Sequence, residues 1–142
     1  SRDGNPIELP DTYSYKGMMF SGVPNLVQTF GYINASWTLR ADLTSDYVAR
    51  LLRHMKDRGF ASATPTLRPQ DANMPARPWI DDFSPGYMQR EMHRFPKQGT
   101  GPWRNTQDFA TDKRLAAEAV EADGVLAFEA PKAGEAAVQA AA

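Results

Sequence analysis

The sequence predicts a small α/β unit in which short apolar strands feed one long amphipathic helix, followed by a Pro-rich, mostly irregular C-terminal tail with short helices. Three observations carry this. Two short apolar runs, "YKGMMF" and "LVQTFGY", stand close together near the start. From about Ser36 to Arg58, large residues recur at three-to-four spacing, the period of a helix with one buried face. Seven of the eleven prolines fall between Pro65 and Pro102, where regular structure is hardest to sustain.

Residues 1 to 14 carry Asp3-Gly4, Pro6 and Pro10-Asp11, a turn-rich lead-in with a short extended pair expected around Ile7 to Leu9. The runs on either side of "SGVPN" read as two short buried strands joined by a tight connection. The helix that follows presents Trp37, Ala41, Thr44, Val48, Leu51, Leu52 and Met55 on one face, and Asp42, Asp46, Arg50, Arg53 and Lys56 on the other. Asn34 or Ser36 supplies an N-cap, cations crowd the last turns, and Gly59 stands where a left-handed C′ residue is wanted. Thr44 offers a second cap and a possible kink.

Beyond Gly59 the stretch "TPTLRPQDANMPARPWIDDF" reads as ordered irregular chain, because Trp79, Phe83 and Tyr87 are too many aromatics for a disordered linker. Ser84-Pro85 is the cap-and-N1 pattern of a short helix reaching about Phe95. "PKQGTGPW" is a loop. Thr111 caps an Ala-rich helix to about Ala122, Asp123-Gly124 ends it, and "VLAF" is a terminal strand. There is no internal repeat.

Sixteen Lys and Arg against seventeen Asp and Glu leave a net charge of -1, which provides no field for a polyanion, so no nucleic-acid partner is expected. The absence of cysteine excludes disulfides and thiolate metal sites and suits a reducing cytoplasm. His54 and His93 stand far apart without a matching carboxylate pattern, so no metal site is expected. No apolar run is long enough for a membrane span and no leader-like segment opens the chain. Ser1, inside a turn and without an initiator Met, suggests a fragment.

The unit of apolar run, Gly31, polar turn and helix is the candidate site. A helix N-terminus exposes unpaired N–H groups and about half a positive charge, so it favours an anionic or electron-rich ligand. The same pattern also serves as a plain strand-to-helix connection. The turn "GYINASWT" tilts towards a ligand: it sets an aromatic, an amide and two hydroxyls at the mouth, and Gly31 permits close approach by something flat. Trp37 reads as core more readily than as a ligand platform.

Other constellations carry less. "QGTGPW" has two of the glycines of G-x-G-x-x-G and follows no strand, and no segment fits a P-loop. There is no G-x-S-x-G elbow. Asp81 and Asp82 could mimic a carboxylate pair, but adjacent side chains in a Pro-rich loop usually point apart. Arg50, Arg53, His54, Lys56 and Arg58 read most simply as a solvated helix face that complements the dipole, with an anion or partner contact as the alternative.

The stretch "YKGMMFSGVPNLVQTFGYINASWTLRADLTSDYVARLLRHM", with the later blocks "RPWIDDFSPGYMQR", "FPKQG", "PWRNTQDFATDKR" and "DGVLAF", resembles the C-terminal part of class B flavoprotein monooxygenases. These are the flavin-containing and Baeyer-Villiger group, and the resemblance is to its ethionamide-activating branch. It runs from about Tyr15 to Phe128. It implies a fragment of a Rossmann-like FAD/NAD(P)-binding fold, its closing strands plus its last long helix. Residues 1–60 would be the strand-helix part of the FAD-binding domain, 61–130 a wrapping extension, and 131–142 a disordered Ala-rich tail.

The resemblance further implies FAD and NADPH as cofactors, O2 and a ketone, sulfide or amine as substrates, and the rest of the parent chain as a partner. Gly31, Tyr32, Asn34, Ala35, Ser36, Trp37 and Thr38 would lie against the flavin ring, with the helix N-terminus aimed at its pyrimidine edge. The glycine-rich loops and the arginine that such enzymes need are absent here, so no catalytic residue is assigned and the chain alone should neither hold FAD tightly nor turn over. The rival expectation is a non-catalytic structural or interaction module.

Overall fold

The computed structural model describes residues 4–81 and 86–132, and only the main chain of residues 87–89. The first apolar run folds on itself. Strand β1 (Ser14–Tyr15) pairs antiparallel with β2 (Met19–Phe20), in register Ser14 with Phe20 and Tyr15 with Met19. All four residues are buried.

The second run, expected as a strand, carries no strand or helix from Leu26 to Tyr32. The physical reason is the lack of a ladder. Among the described residues, no main-chain hydrogen bond involves Thr29 to Tyr32, and Gln28 N–H reaches only Met18 O at 2.8 Å. A strand is defined by its partner, not by its own composition. The extended pair expected at Ile7 to Leu9 is likewise absent, and a 3₁₀ turn occupies Leu9–Asp11, with Pro10 in its first turn.

Helix α1 (Trp37–Arg58) begins and ends as the sequence indicates, without a break at Thr44. Gly59 closes it at φ +70°, its N–H reaching Met55 O and Lys56 O. The buried stripe is rotated from the expected one: it comprises Arg40, Thr44, Tyr47, Leu51 and Met55, while Trp37 and Leu52 are 57% and 59% exposed. Apolar periodicity could not place Arg40 inside, because what admits it is a carboxylate 72 residues away, Asp112.

Strand β3 (Ser62–Pro65) follows, in a stretch expected to be irregular, and pairs antiparallel with β4 (Leu126–Glu129), the strand expected from "VLAF". "SATP" has no alternation to announce a strand, and Pro65 at its last position is compatible with a ladder end. On its other side Asn25 acts as a strand edge: Ala63 N–H donates to Asn25 Oδ1 at 3.0 Å, and Asn25 Nδ2 donates to Ala61 O at 3.0 Å.

Helix α2 (Gly86–Glu91) runs into a 3₁₀ turn at Met92–Arg94; the expected Ser84 cap lies outside the described residues. Helix α3 (Phe109–Ala117) starts one cap earlier than expected, with Asp108 Oδ1 accepting from Thr111 N–H at 2.8 Å, and Glu118 leaves the helix with ψ 153°. The tail assigned to 131–142 lies, from 133 onward, outside the described residues.

The core draws on both halves of the chain: Tyr15, Met18, Met19, Tyr47, Leu51 and Met55 pack with Ala63, Trp103, Val120 and Val125. Trp103 is fully buried, edge-on to Tyr15 with ring centroids 5.8 Å apart. The second half is therefore not a mere wrapping, because its large residues fill the groove that α1 and the hairpin leave open.

Two adjacent leucines test the rotated stripe. Leu51→Ala should cost about 2–5 kcal/mol in urea denaturation, and Leu52→Ala should stay within about 0.5 kcal/mol. Equal losses would restore the face read from periodicity.

Candidate functional site

The turn between Gly31 and Thr38 splits into an inward and an outward part. Gly31 and Tyr32 are buried; Asn34, Ala35, Ser36, Trp37 and Thr38 are exposed. The close approach that Gly31 permits is made by Trp37: a β-carbon on Gly31 would lie 2.2 Å from the indole. Trp37 thus folds back over the turn and does not enter the core.

At the start of α1, Ser36 makes no capping bond from its side chain. Its hydroxyl lies 2.8 Å from Thr38 Oγ1 instead. The first turn therefore keeps main-chain donors, two hydroxyls and the Asn34 amide on one exposed face, at the positive end of a 22-residue helix.

An aromatic shelf stands beside it. Phe30 lies 5.1 Å from Trp37 and 4.5 Å edge-on from Trp79, whose other contact is a stacked Phe95 at 5.0 Å. Trp79 is 2% exposed, so the shelf is anchored in the interior, while Phe30 and Phe95 are half-buried and Trp37 is its most exposed member.

Beneath the turn runs a polar network. Arg40 Nη1 pairs with Asp112 Oδ2, Tyr32 Oη donates to the same oxygen at 2.9 Å, and Thr106 Oγ1 donates to Oδ1 at 2.6 Å. Arg40 Nη2 reaches Lys16 O at 3.0 Å and Asn105 Oδ1 at 3.5 Å, and the guanidinium stands 5.3 Å over the Tyr32 ring. A β-carbon on Gly17 would sit 1.9 Å from Arg40 Nη2, so glycine there leaves room for the cation. Burial first, and Asp112 second, push the Tyr32 hydroxyl up to about 12.

The basic cluster on α1 is mostly solvated, as expected, with two exceptions. Arg50 turns to α3 and donates to Glu118 O at 3.0 Å and to Ala116 O. His54 lies beside the stacked pair Phe60 and Phe128, with Nε2 3.5 Å from Glu121 Oε1. Asp81 pairs with Arg77 at 3.4 Å, and Asp82 lies outside the described residues. Among the described residues no group of three His, Asp or Glu is placed to hold a metal, and no helix is long and apolar enough to cross a membrane.

No family model and no solved structure matches the chain. Curated relatives do. The "FAD-containing monooxygenase EthA" of Mycolicibacterium smegmatis is 47% identical over 116 residues, 81% of this chain and 23% of that protein. Its namesake from Mycobacterium tuberculosis is 46% identical over 114 residues, 80% of this chain and 23% of that protein. The "Probable FAD-binding monooxygenase AlmA" of an Acinetobacter species is 40% identical over 133 residues, 90% of this chain and 26% of that protein.

The chain is homologous to a segment of the FAD-containing monooxygenases. It spans about a quarter of the length of the curated relatives it matches. The exposed part of the turn offers donors at a helix N-terminus beside an exposed indole, a chemistry compatible with a flat ring that carries hydrogen-bond acceptors at its edge. A complete dinucleotide cradle is not among these residues, since the chain has no G-x-G-x-x-G.

Sequence reasoning missed Arg40, Asp112 and Gln107, whose Oε1 accepts from Ile33 N–H at 3.0 Å. A buried cation on an amphipathic helix looks like a surface cation until its partner is known. The one local signal was Arg40 itself, a charge at the three-to-four spacing of Thr44, Tyr47 and Leu51.

Breaking the buried pair should be costly. Arg40→Met alone should destabilise by about 3–5 kcal/mol in urea denaturation, and adding Asp112→Leu should recover part of that loss. A loss below about 1 kcal/mol for the single change would mean that the pair is solvated.

Tyr32 also links stability to pH. Its ordinary value is 10.0 and its folded value is about 12, so the neutral form is favoured by folding and stability drains as pH rises from 10 towards 12. Tyr32→Phe should flatten the part of that loss due to this hydroxyl, read from melting temperatures across the alkaline range; an unchanged slope would refute it.

Proposed function

We propose that the chain is the C-terminal portion of an FAD- and NADPH-dependent monooxygenase. Such an enzyme transfers one oxygen atom from O2 to a ketone, in a Baeyer-Villiger reaction, or to a sulfide or amine. Residues 1–60 belong to its FAD-binding domain, as the closing part of a Rossmann-like fold, and 61–130 are an extension packed on it. The observation that carries the reading is the match to FAD-containing monooxygenases together with an exposed, donor-rich turn at the start of α1.

The main chain from Thr29 to Tyr32, which makes no main-chain hydrogen bond among the described residues, supports the assignment. An apolar run without a ladder is what a strand contributes when the rest of its sheet comes from other sequence. The exposed Trp37 end of the aromatic shelf supports it in the same way.

In this reading the flavin supplies the redox chemistry and the activation of O2. The chain's residues supply position and field. Asn34, Ser36, Thr38 and the first N–H groups of α1 offer donors to the electron-rich pyrimidine edge, fixed in place before any charge develops there. Ala35 keeps the face between them small. Trp37, seated on Gly31, screens one side of the turn from water, and Tyr32 anchors it from within. The FAD and NADPH phosphate cradles, and any catalytic arginine, belong to other segments of the parent.

Asn34→Ala and Thr38→Val in a full-length flavoprotein carrying this segment should shift the flavin absorption spectrum. They should also lower the coupling of NADPH oxidation to oxygenated product. Changes confined to thermal stability would leave the turn a structural connection and sink the flavin-facing reading.

A further inference from the structure

We infer that Gln107 and Asp112, flanking the cap of α3, are positioning residues that set where the turn 34–38 stands against the flavin. This rests on the flavin-facing reading of the turn. The two side chains take hold of consecutive residues just before it. Asp112 Oδ2 accepts from Tyr32 Oη at 2.9 Å, and Gln107 Oε1 accepts from Ile33 N–H at 3.0 Å.

These contacts matter because little else fixes this part of the chain. Among the described residues, Thr29 to Tyr32 make no main-chain hydrogen bond, and the hydroxyls of Ser36 and Thr38 pair with each other. An amide side chain from 74 residues away therefore does for Ile33 what a neighbouring strand would ordinarily do.

The orientation of Gln107 is set by its surroundings. Asn105 is 4% exposed, with its Nδ2 donating to Trp79 O at 3.0 Å and its own N–H donating to Gln98 Oε1 at 3.1 Å. Its Oδ1 therefore faces the donors, Arg40 Nη2 at 3.5 Å and Gln107 Nε2 at 3.3 Å. With its NH2 committed to Asn105, Gln107 has only its oxygen to offer Ile33. The chain of contacts runs from the Trp79 shelf through Asn105 and Gln107 to the turn, and a parallel one runs from Arg40 through Asp112 to Tyr32.

Asp112 also holds Arg40, so its replacement would confound positioning with folding. Gln107 separates the two. Gln107→Leu removes the acceptor, whereas Gln107→Glu keeps an oxygen for Ile33. In a full-length flavoprotein carrying this segment, Gln107→Leu should speed amide exchange at Ile33, shift the flavin spectrum and midpoint potential, and lower coupling by about tenfold or more. Displacement of about 1 Å at a reacting centre can cost up to 10²-fold. Gln107→Glu should recover only part of the exchange protection, because a carboxylate oxygen replaces the donor that faces Asn105 Oδ1.

Arg68→Ala is the control. Arg68 donates to the Asp71 carboxylate and to Asp123 O and, among the described residues, makes no hydrogen bond with the turn, so it should change stability alone. If Asn34→Ala and Thr38→Val move the flavin and Gln107→Leu does not, or if Gln107→Leu leaves amide exchange at Ile33 unchanged, the positioning role is overturned. If none of these four variants moves the flavin, the flavin-facing reading fails first and takes this inference with it.

Discussion

The buried pair between Arg40 and Asp112 is the constraint on which the rest of the arrangement depends. Taking both charges out of water costs several kcal/mol each unless every donor and lone pair is met. Here they are met from four directions: the hairpin turn through Lys16 O, the loop through Asn105 and Thr106, the turn through Tyr32, and α3 through Asp112 itself. An apolar contact would tolerate α3 sliding along α1, but a guanidinium aimed at one carboxylate does not. The pair therefore fixes the axial position of α3, and with it the side chains that α3 presents to the turn.

A second layer of cations closes the other end of α3. Lys16, buried and at φ +49°, donates to Leu115 O at 3.1 Å and lies 3.3 Å from Glu118 and 3.4 Å from Asp123. Arg50 takes the carbonyls of Ala116 and Glu118. The last carbonyls of a helix carry its negative end, so two cations here complete the termination that the sequence of α3 does not supply. Asp123 in turn accepts from Tyr15, which burial, Tyr47 and Asp123 together push well above the ordinary tyrosine range. Arg68 ties the same corner, through Asp123 O, to a 3₁₀ turn at Pro69–Asp71 through Asp71, whose carboxyl its hydrogen bonds hold well below the usual carboxylate range.

Much of the fold was legible where a local rule decided it. Helix α1 combined periodicity, charge order and a glycine stop, and these agreed with its existence and its ends, though not with which stripe is buried. The terminal strand at Leu126–Glu129 was legible because Gly124 isolates a short apolar run. What was not legible depended on partners: "LVQTFGY" looked more strand-like than "SATP", yet only the latter finds a complementary edge, in β4 and in Asn25. The candidate turn was legible as a turn; its division into buried Tyr32 and exposed Asn34 to Thr38 was not.

The sequence by itself determined the long helix, its termini, the terminal strand and the family to which the segment is homologous, because each of these is written in neighbouring residues or in ordered blocks of identity. Only the tertiary structure decided which stripe of α1 is buried, that Trp37 lies outward on Gly31, and that Gln107 and Asp112 hold the turn. The reason is physical: a charge or amide is buried or exposed according to its partner. Here the partners stand 72, 74 and 80 residues away along the chain.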